Sequence, residues 1–283
     1  MTASAPVIFA AGYLGGQLDA NSSTAGSGVS SMILLDHPLA LLVATVAVLW
    51  IASRLGFYIH KHTPQPLEPD EDDFALILGA TLTLLGLIIG FTFSMAVNRY
   101  DQRKNYEEQE ANAIGTEYLR LGLSAVAANG RMLLRDYLDQ RIIYYTARDP
   151  DRVRQTRVQT SQLESQLWST LSAPGTLQPT PISALVLSGM NDVLNSEGYT
   201  EAAWRNRVPL AAWILLVFLA VFSNVLLGYR AHRKSLLLFL VLPIALSISF
   251  LLIADIDSPR TGVIQVYPQN LESLAGSLRR LPR

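Results

Sequence analysis

The fold is decided by the stretch Gly90-Phe91-Thr92-Phe93-Ser94-Met95-Ala96-Val97-Asn98-Arg99-Tyr100-Asp101-Gln102-Arg103, continued by Glu110-Ala111-Asn112-Ala113-Ile114-Gly115-Thr116-Glu117-Tyr118. An uncharged segment runs into a charged one, with no glycine or proline between residues 91 and 114 to interrupt a helix. Such a helix carries one rigid surface from a bilayer into water. A helix that lines a pore needs such a surface.

The composition is that of a membrane protein. The chain has 283 residues, half of them hydrophobic, and its mean hydropathy is +0.26. A net charge of −1 argues against nucleic acid as a partner, because a nucleic-acid-binding surface needs a basic stripe. The absence of cysteine excludes disulfides and thiolate chemistry.

Four segments are long and apolar enough to cross a bilayer, for which about 20 apolar residues suffice. Three of them are free of charge, at residues 74–98, 208–229 and 235–254. The first segment, Pro38–Ser53, is shorter, but the apolar residues that follow Arg54 extend it. We therefore expect an all-α membrane protein with four transmembrane helices.

The spacing of these segments sets the organisation of the chain. We expect a mobile or loosely docked tail over residues 1–36, transmembrane helices 1 and 2 over 37–98, a helical extramembrane domain over 99–207, transmembrane helices 3 and 4 over 208–256, and a C-terminal tail over 257–283. A short interfacial or extra membrane helix at 6–18 is the alternative for part of the N-terminal tail. A link over 60–73 joins the first two membrane helices, and a tight turn over 230–234 joins the last two.

The extramembrane domain has helical periodicity throughout. Apolar residues recur every three and four positions from Ile114 to Tyr145 and from Val153 to Leu171. Thr180-Pro181 is typical of an N-cap followed by proline at the first helical position, and an apolar stripe from Ile182 to Leu194 follows it. Because each helix has only one apolar stripe, we expect little core within one copy and infer a homo-oligomer.

Three segments resemble the bestrophin superfamily, and more closely its bacterial bestrophin-like domain branch. They are Gly90-Phe91 with Ser94, Asn98-Arg99-Tyr100 and Gln102-Arg103; Met190–Asn195 leading to Arg205-Asn206-Arg207-Val208-Pro209; and Ile253-Ala254-Asp255-Ile256-Asp257-Ser258-Pro259-Arg260. The resemblance implies a homopentamer around a central pore, in which the second membrane helix lines a hydrophobic neck. It also implies the inner membrane of a bacterium, with the extramembrane domain in the cytoplasm.

Matching Gly90-Phe91 to the family places the pore neck at Thr83, Leu87 and Phe91. These residues lie at i, i+4 and i+8, so they share one face of a helix. Packing between helices is the alternative interpretation of that face.

Charged residues at the two membrane exits are the other candidate sites. Asn98, Arg99, Asp101 and Arg103 are candidates for a charged vestibule or an intersubunit ring, and ordinary interfacial charges are the alternative. Asp255 and Asp257 are candidates for an ion site or a subunit contact, and the alternative is that they cap the following turn, whose shape Pro259 fixes.

The sequence lacks the residues that several classes of site require. No catalytic constellation and no set of metal ligands is recognisable, so we expect neither an enzyme nor a cofactor. The acidic cluster that binds calcium in well-studied bestrophins is reduced to Asp255 and Asp257, which puts calcium gating in doubt.

The positive-inside rule does not decide the orientation. Six basic residues favour a cytoplasmic domain and five oppose it: Arg99, Arg103, Lys104, Arg205, Arg207 and Arg260 against Arg54, Lys61, Arg230, Arg233 and Lys234. We follow the resemblance and place the domain in the cytoplasm.

The leading hypothesis is a pentameric ion channel that conducts inorganic ions passively across the lipid bilayer. The resemblance slightly favours anions, but bacterial relatives can prefer cations, so selectivity stays open. The alternative is a non-conducting membrane scaffold or sensor whose helical domain binds a partner.

Overall fold

The computed structural model describes residues 38–62, 71–124, 127–172, 180–230 and 238–280. Each regular element in these ranges is a helix: α1 Pro38–His62, α2 Glu71–Leu121, α3 Ala127–Thr146, α4 Pro150–Ser172, α5 Pro181–Arg205, α6 Leu210–Tyr229, α7 Leu238–Asp257 and α8 Gln269–Arg280. The predicted all-α class is confirmed. Our expectations for residues 1–36, and for most of the link at 60–73 and of the turn at 230–234, concern segments outside the described ranges.

Helix α2 is continuous over 51 residues. At 1.5 Å per residue it is about 77 Å long, more than twice the hydrocarbon thickness of a bilayer. No proline occurs in it, and its central part has no glycine between residues 91 and 114. The prediction that one helix runs from the membrane segment into the polar domain is therefore confirmed.

Among the residues that the structure describes, four helical segments are long and apolar enough to cross a membrane, within residues 40–62, 72–121, 181–229 and 240–257. They pack as a bundle of α1, α2, α6 and α7 around apolar side chains: Leu49, Leu85, Leu216, Leu219, Ala220, Leu246 and Phe250. The predicted count of four membrane helices is confirmed.

Helices α1 and α6 approach each other closely because glycines face the opposing backbone. A Cβ at Gly228 would clash with the Ser53 carbonyl, and one at Gly56 would clash with the Val225 carbonyl. Ser53 Oγ donates to Asn224 Oδ1 at 3.2 Å, so the polar side chains buried there have partners.

The bundle has one end near the extramembrane domain and one end far from it. At the far end, the Tyr229 ring lies 4.9 Å from the His60 ring and 6.0 Å from the Phe74 ring. At the near end, the middle of α2 meets the start of α6 and the end of α7. The extramembrane domain is built on this near end.

The extramembrane domain has a large core within one copy, contrary to our expectation. Helices α3, α5 and α8 pack against the C-terminal half of α2, and α4 packs against α3. The buried side chains include Ile114, Leu121, Leu134, Tyr137, Leu167, Val186, Met190 and Leu271. The expectation was wrong because α2 extends through the domain and gives several single-striped helices a common partner.

Two local features of the domain bear on the predictions. Thr180 is the N-cap of α5, where its Oγ1 accepts from the Ser183 N–H at 3.2 Å, and Pro181 is the first helical residue, as predicted. The segment assigned to a C-terminal tail contains α8, whose Leu271, Ala275 and Leu278 are buried. The C-terminal residues 269–280 are thus part of the domain.

Candidate functional site: the uncovered stripe of α2

Helix α2 has one face that no described residue covers, and we call it the uncovered stripe. It comprises the residues that lie within about 60° of Leu87 around the helix axis, when each residue turns the helix by 100°. Along 72–119 these are all exposed; its central line is Thr83, Leu87, Phe91, Ser94, Asn98, Asp101, Asn105, Asn112, Thr116 and Leu119, and Glu108 lies at its edge.

The opposite face of α2 is buried from Leu85 onward. Its residues pack on the membrane bundle and then on the domain: Leu85, Thr92, Ala96, Arg103, Glu107, Glu110, Ile114, Glu117, Tyr118 and Leu121. One copy therefore fixes the rotation of α2, and it leaves a single continuous surface about 70 Å long without a partner.

The three neck candidates lie together on this stripe. The Leu87 side chain is 53% exposed and that of Phe91 is 62% exposed, which is far from the burial expected of packing residues within one copy. The hydroxyl of Thr83 donates to the Gly79 carbonyl at 2.8 Å, so the side chain presents its methyl group outward. The membrane part of the stripe is therefore apolar.

The extramembrane part of the stripe is polar. Side-chain amides recur along it at Asn98, Gln102, Asn105, Gln109 and Asn112. The surface thus changes from aliphatic and aromatic to amide-rich at the point where α2 leaves the membrane bundle.

The charged candidates of the sequence analysis lie on different sides of α2. Asn98 and Asp101 belong to the uncovered stripe, whereas Arg99 turns about 120° away from Leu87. The Arg99 guanidinium donates to the Asn206 side chain, at the junction between α5 and α6.

Arg103 is buried at the near end of the bundle, with 1% of its surface exposed. Its guanidinium donates to four carbonyl groups at 3.0–3.3 Å, those of Ala203, Asn206, Ile256 and Asp257. One side chain therefore ties together α2, the end of α5 and the end of α7. The guanidinium of Arg103 is occupied by hydrogen bonds within one protomer, and we do not propose it as a vestibule charge.

The carboxylates of Asp257 and Asp255 accept hydrogen bonds from backbone N–H groups. The Asp257 carboxylate accepts from the Val208 N–H at 3.0 and 3.1 Å, which joins the end of α7 to the start of α6. The Asp255 carboxylate accepts from the Val263 and Ile264 N–H groups at 2.7 and 2.9 Å and shapes the turn that follows α7.

A buried charge network, not anticipated from the sequence, lies where α2, α3 and α5 meet. Glu110 and Arg141 form an ion pair with both side chains fully buried. Glu110 also accepts from the Tyr145 hydroxyl at 3.1 Å and from the Thr200 hydroxyl at 3.0 Å. Arg141 further contacts Glu197 on α5 at 3.2 Å.

Glu164 on α4 is next to this network. Burial, and then the neighbouring Glu197 carboxylate, raise the pKa of Glu164 to about 8, although Arg141 opposes the shift. A carboxyl group that holds its proton to higher pH than an ordinary glutamate therefore lies at the contact between α4 and α5.

The residues that the sequence analysis missed belong to a pattern of acids at helical spacing. Glu107, Glu110 and Glu117 all lie on the buried face of α2. Glu107 accepts from the Asn270 and Leu271 N–H groups at 2.9 and 3.0 Å and so caps α8. The spacing of these acids, three and seven residues apart on one helix face and beside apolar residues, was the sequence signal that could have indicated buried carboxylates.

The comparisons with known proteins agree with this architecture. Residues 43–271 match the model of the Bestrophin-like domain family. The chain belongs to the Bestrophin-like domain family. No curated protein is similar enough in sequence to count as a match.

Solved structures of low sequence identity share the bestrophin-like fold. A variant of a bacterial bestrophin homologue from Klebsiella pneumoniae aligns with a TM-score of 0.58 at 16% identity, covering 86% of this chain and 95% of that one. A second variant gives 0.57 at 15% identity, covering 84% and 96%. A structure described as a membrane protein gives 0.58 at 14% identity, covering 84% and 95%.

The family and the membrane-spanning helical fold together support an ion channel in general terms. At these identities the solved structures show the fold alone.

Proposed function

We propose that the chain forms a homopentameric ion channel, with the uncovered stripes of five α2 helices facing a central pore. The observation that carries the proposal is the stripe itself, which is exposed over its whole length, while the opposite face of α2 is buried from Leu85 onward. A surface that runs from the bilayer into water on one rigid helix is well suited to line a pathway that crosses the bilayer.

In this arrangement Thr83, Leu87 and Phe91 form the neck. Their outward groups are methyl, isobutyl and phenyl, and five copies around an axis would make an apolar constriction. Hydrophobic constrictions gate by dewetting or by side-chain movement. Conduction is passive, so neither a cofactor nor ATP is required.

The location follows from the family resemblance. We place the protein in the bacterial inner membrane as a multi-pass protein, with the extramembrane domain in the cytoplasm. Protease added to the outside of intact cells should leave the 99–207 region uncut. Cleavage there would show that the domain lies outside the cell and that the proposed orientation is wrong.

The subunit count tests the assembly. Native mass spectrometry or particle symmetry in mild detergent should give five copies. A monomer or dimer would favour the second candidate, a non-conducting scaffold or sensor. Large exposed apolar side chains on the domain, such as Leu123 and Met132, support that candidate because they suit a partner surface.

A double variant, Leu87→Ala with Phe91→Ala, tests the neck. A wider constriction should raise the single-channel conductance in planar bilayers. Phe218→Ala is a matched control, because Phe218 on α6 has the same 62% exposure as Phe91 but lies outside the stripe. Unchanged current in the double variant, with the oligomer intact, would overturn the neck assignment.

A further inference from the structure

The uncovered stripe bears charge of one sign. Between residues 72 and 119 its charged members are all acids: Asp72, Asp73, Asp101 and Glu108. No lysine or arginine lies within about 60° of Leu87 over this length. Arg120, one residue beyond and itself about 60° from Leu87, is directed toward Asp192 on α5 at 3.8 Å.

The basic residues of this part of α2 are turned away from the stripe. Arg103 is buried among four carbonyl groups, and Arg99 donates to Asn206 on the domain side. Lys104 is exposed but lies about 100° from Leu87, at the flank of the helix. The protein thus removes its cations from the surface that the proposed pore presents to ions.

Asp101 and Glu108 are well placed to act on passing ions. Both are exposed, and neither forms a hydrogen bond or ion pair with any described residue. They lie about 21 Å and 32 Å beyond Leu87 along the helix. The amides around them are neutral and can accommodate a hydrated ion of either sign, so the carboxylates decide the sign of the field.

We propose that the channel selects cations, and that Asp101 and Glu108 set this selectivity as two successive carboxylate rings. The inference rests on the proposed pentamer, in which each ring contains five carboxylates. Rings of Asp or Glu favour cation passage. They do so by raising the local cation concentration, an effect that salt screens beyond about 10 Å at 0.1 M.

The test is the ratio of potassium to chloride permeability, measured from the reversal potential of purified protein in bilayers under a KCl gradient. We expect a ratio well above one for the unmodified chain. Asp101→Asn with Glu108→Gln should lower the ratio by roughly fivefold or more, with a larger effect at low salt. Asp101→Lys should lower it further.

Asp136→Asn on α3 is the control, since it removes an exposed carboxylate outside the stripe. Its ratio should equal that of the unmodified channel. If the double variant does not assemble, the two single variants carry the same test, each with a smaller decrease.

The outcomes separate the two proposals. A conducting pentamer that prefers chloride, or whose ratio is the same in the double variant, would overturn cation selection while leaving the pore in place. An assembled protein without current in any variant would overturn the proposed channel and this inference with it.

Discussion

Arg141 on α3 donates through its Nε to the carboxylate of Glu110 on α2, and both side chains are fully buried. The pair fixes the α2 face that points into the domain. It therefore also fixes the direction of the uncovered stripe, which lies on the opposite face of the same helix.

Loss of one partner of this pair should be strongly destabilising. Arg141→Met leaves the Glu110 carboxylate buried without its countercharge, and we expect a loss of about 3–5 kcal/mol in the free energy of unfolding. Urea denaturation of the purified protein, followed by tryptophan fluorescence, measures it. Replacing both partners, with Glu110→Leu added, should recover part of the loss.

The matched control is the ion pair between Arg279 and Asp139, whose side chains are 73% and 50% exposed. Arg279→Ala should cost less than about 1 kcal/mol, because exposed pairs contribute little. Equal losses for Arg141→Met and Arg279→Ala would refute the structural role given to the buried pair.

The pKa of Glu164 predicts how stability changes with pH. Its folded pKa of about 8 lies above the ordinary value of 4.5, so the folded state binds more protons between these two pH values. Stability should therefore be highest near pH 5 and should fall as the pH rises toward 8, as the sign of proton linkage requires.

Glu164→Gln should make this decline shallower, since the amide remains neutral at every pH, while Glu117, whose pKa burial also raises to about 8, retains part of it. Thermal unfolding midpoints between pH 5 and 9 measure the slope, with Glu272→Gln, an exposed acid on α8, as the control. A slope that is the same in Glu164→Gln and in the unmodified protein would show that another group causes the decline.

Glu107 should hold α8 in place. Glu107→Ala removes the acceptor for two N–H groups at the start of α8, which should cost about 1 kcal/mol and loosen this helix first. Hydrogen exchange of residues 269–280 should accelerate relative to the rest of the domain. Glu108→Ala, at the exposed neighbouring position, should leave that exchange unchanged.

Gly228 should be required for the contact between α1 and α6. Gly228→Ala places a methyl group against the Ser53 backbone, and we expect a loss of about 1–3 kcal/mol from overpacking. Gly198→Ala on α5 is the control, because a Cβ there meets no atom within 4 Å. A Gly228→Ala protein as stable as Gly198→Ala would contradict the close approach.

The long helix and the shared helix face of the three neck candidates were predictable because both depend on local chemistry. No glycine or proline interrupts the chain where it leaves the membrane, so nothing local ends the helix there. The continuous helix α2 could therefore be predicted from the sequence. The spacing of Thr83, Leu87 and Phe91 places them on one helix face whatever surrounds them. Their role as a neck stays a prediction.

The extramembrane core and α8 were not predictable in the same way. The apolar stripe of each helix could have been buried against another copy or against α2, and only the packing of the chain distinguishes these cases. The 257–283 segment contains just three buried anchors on α8, too few to indicate a docked helix without knowledge of the Glu107 cap.

By itself, then, the sequence determined that this protein is helical, crosses the membrane with four segments and carries α2 from lipid into water, since these properties follow from hydropathy and helical period. Only the tertiary structure decided which face of α2 stays open. Arg103 and Asp101 are two residues apart in a charged segment, yet one is buried and the other exposed. That difference comes from the rotation of α2, which long-range contacts such as Glu110 with Arg141 hold in place.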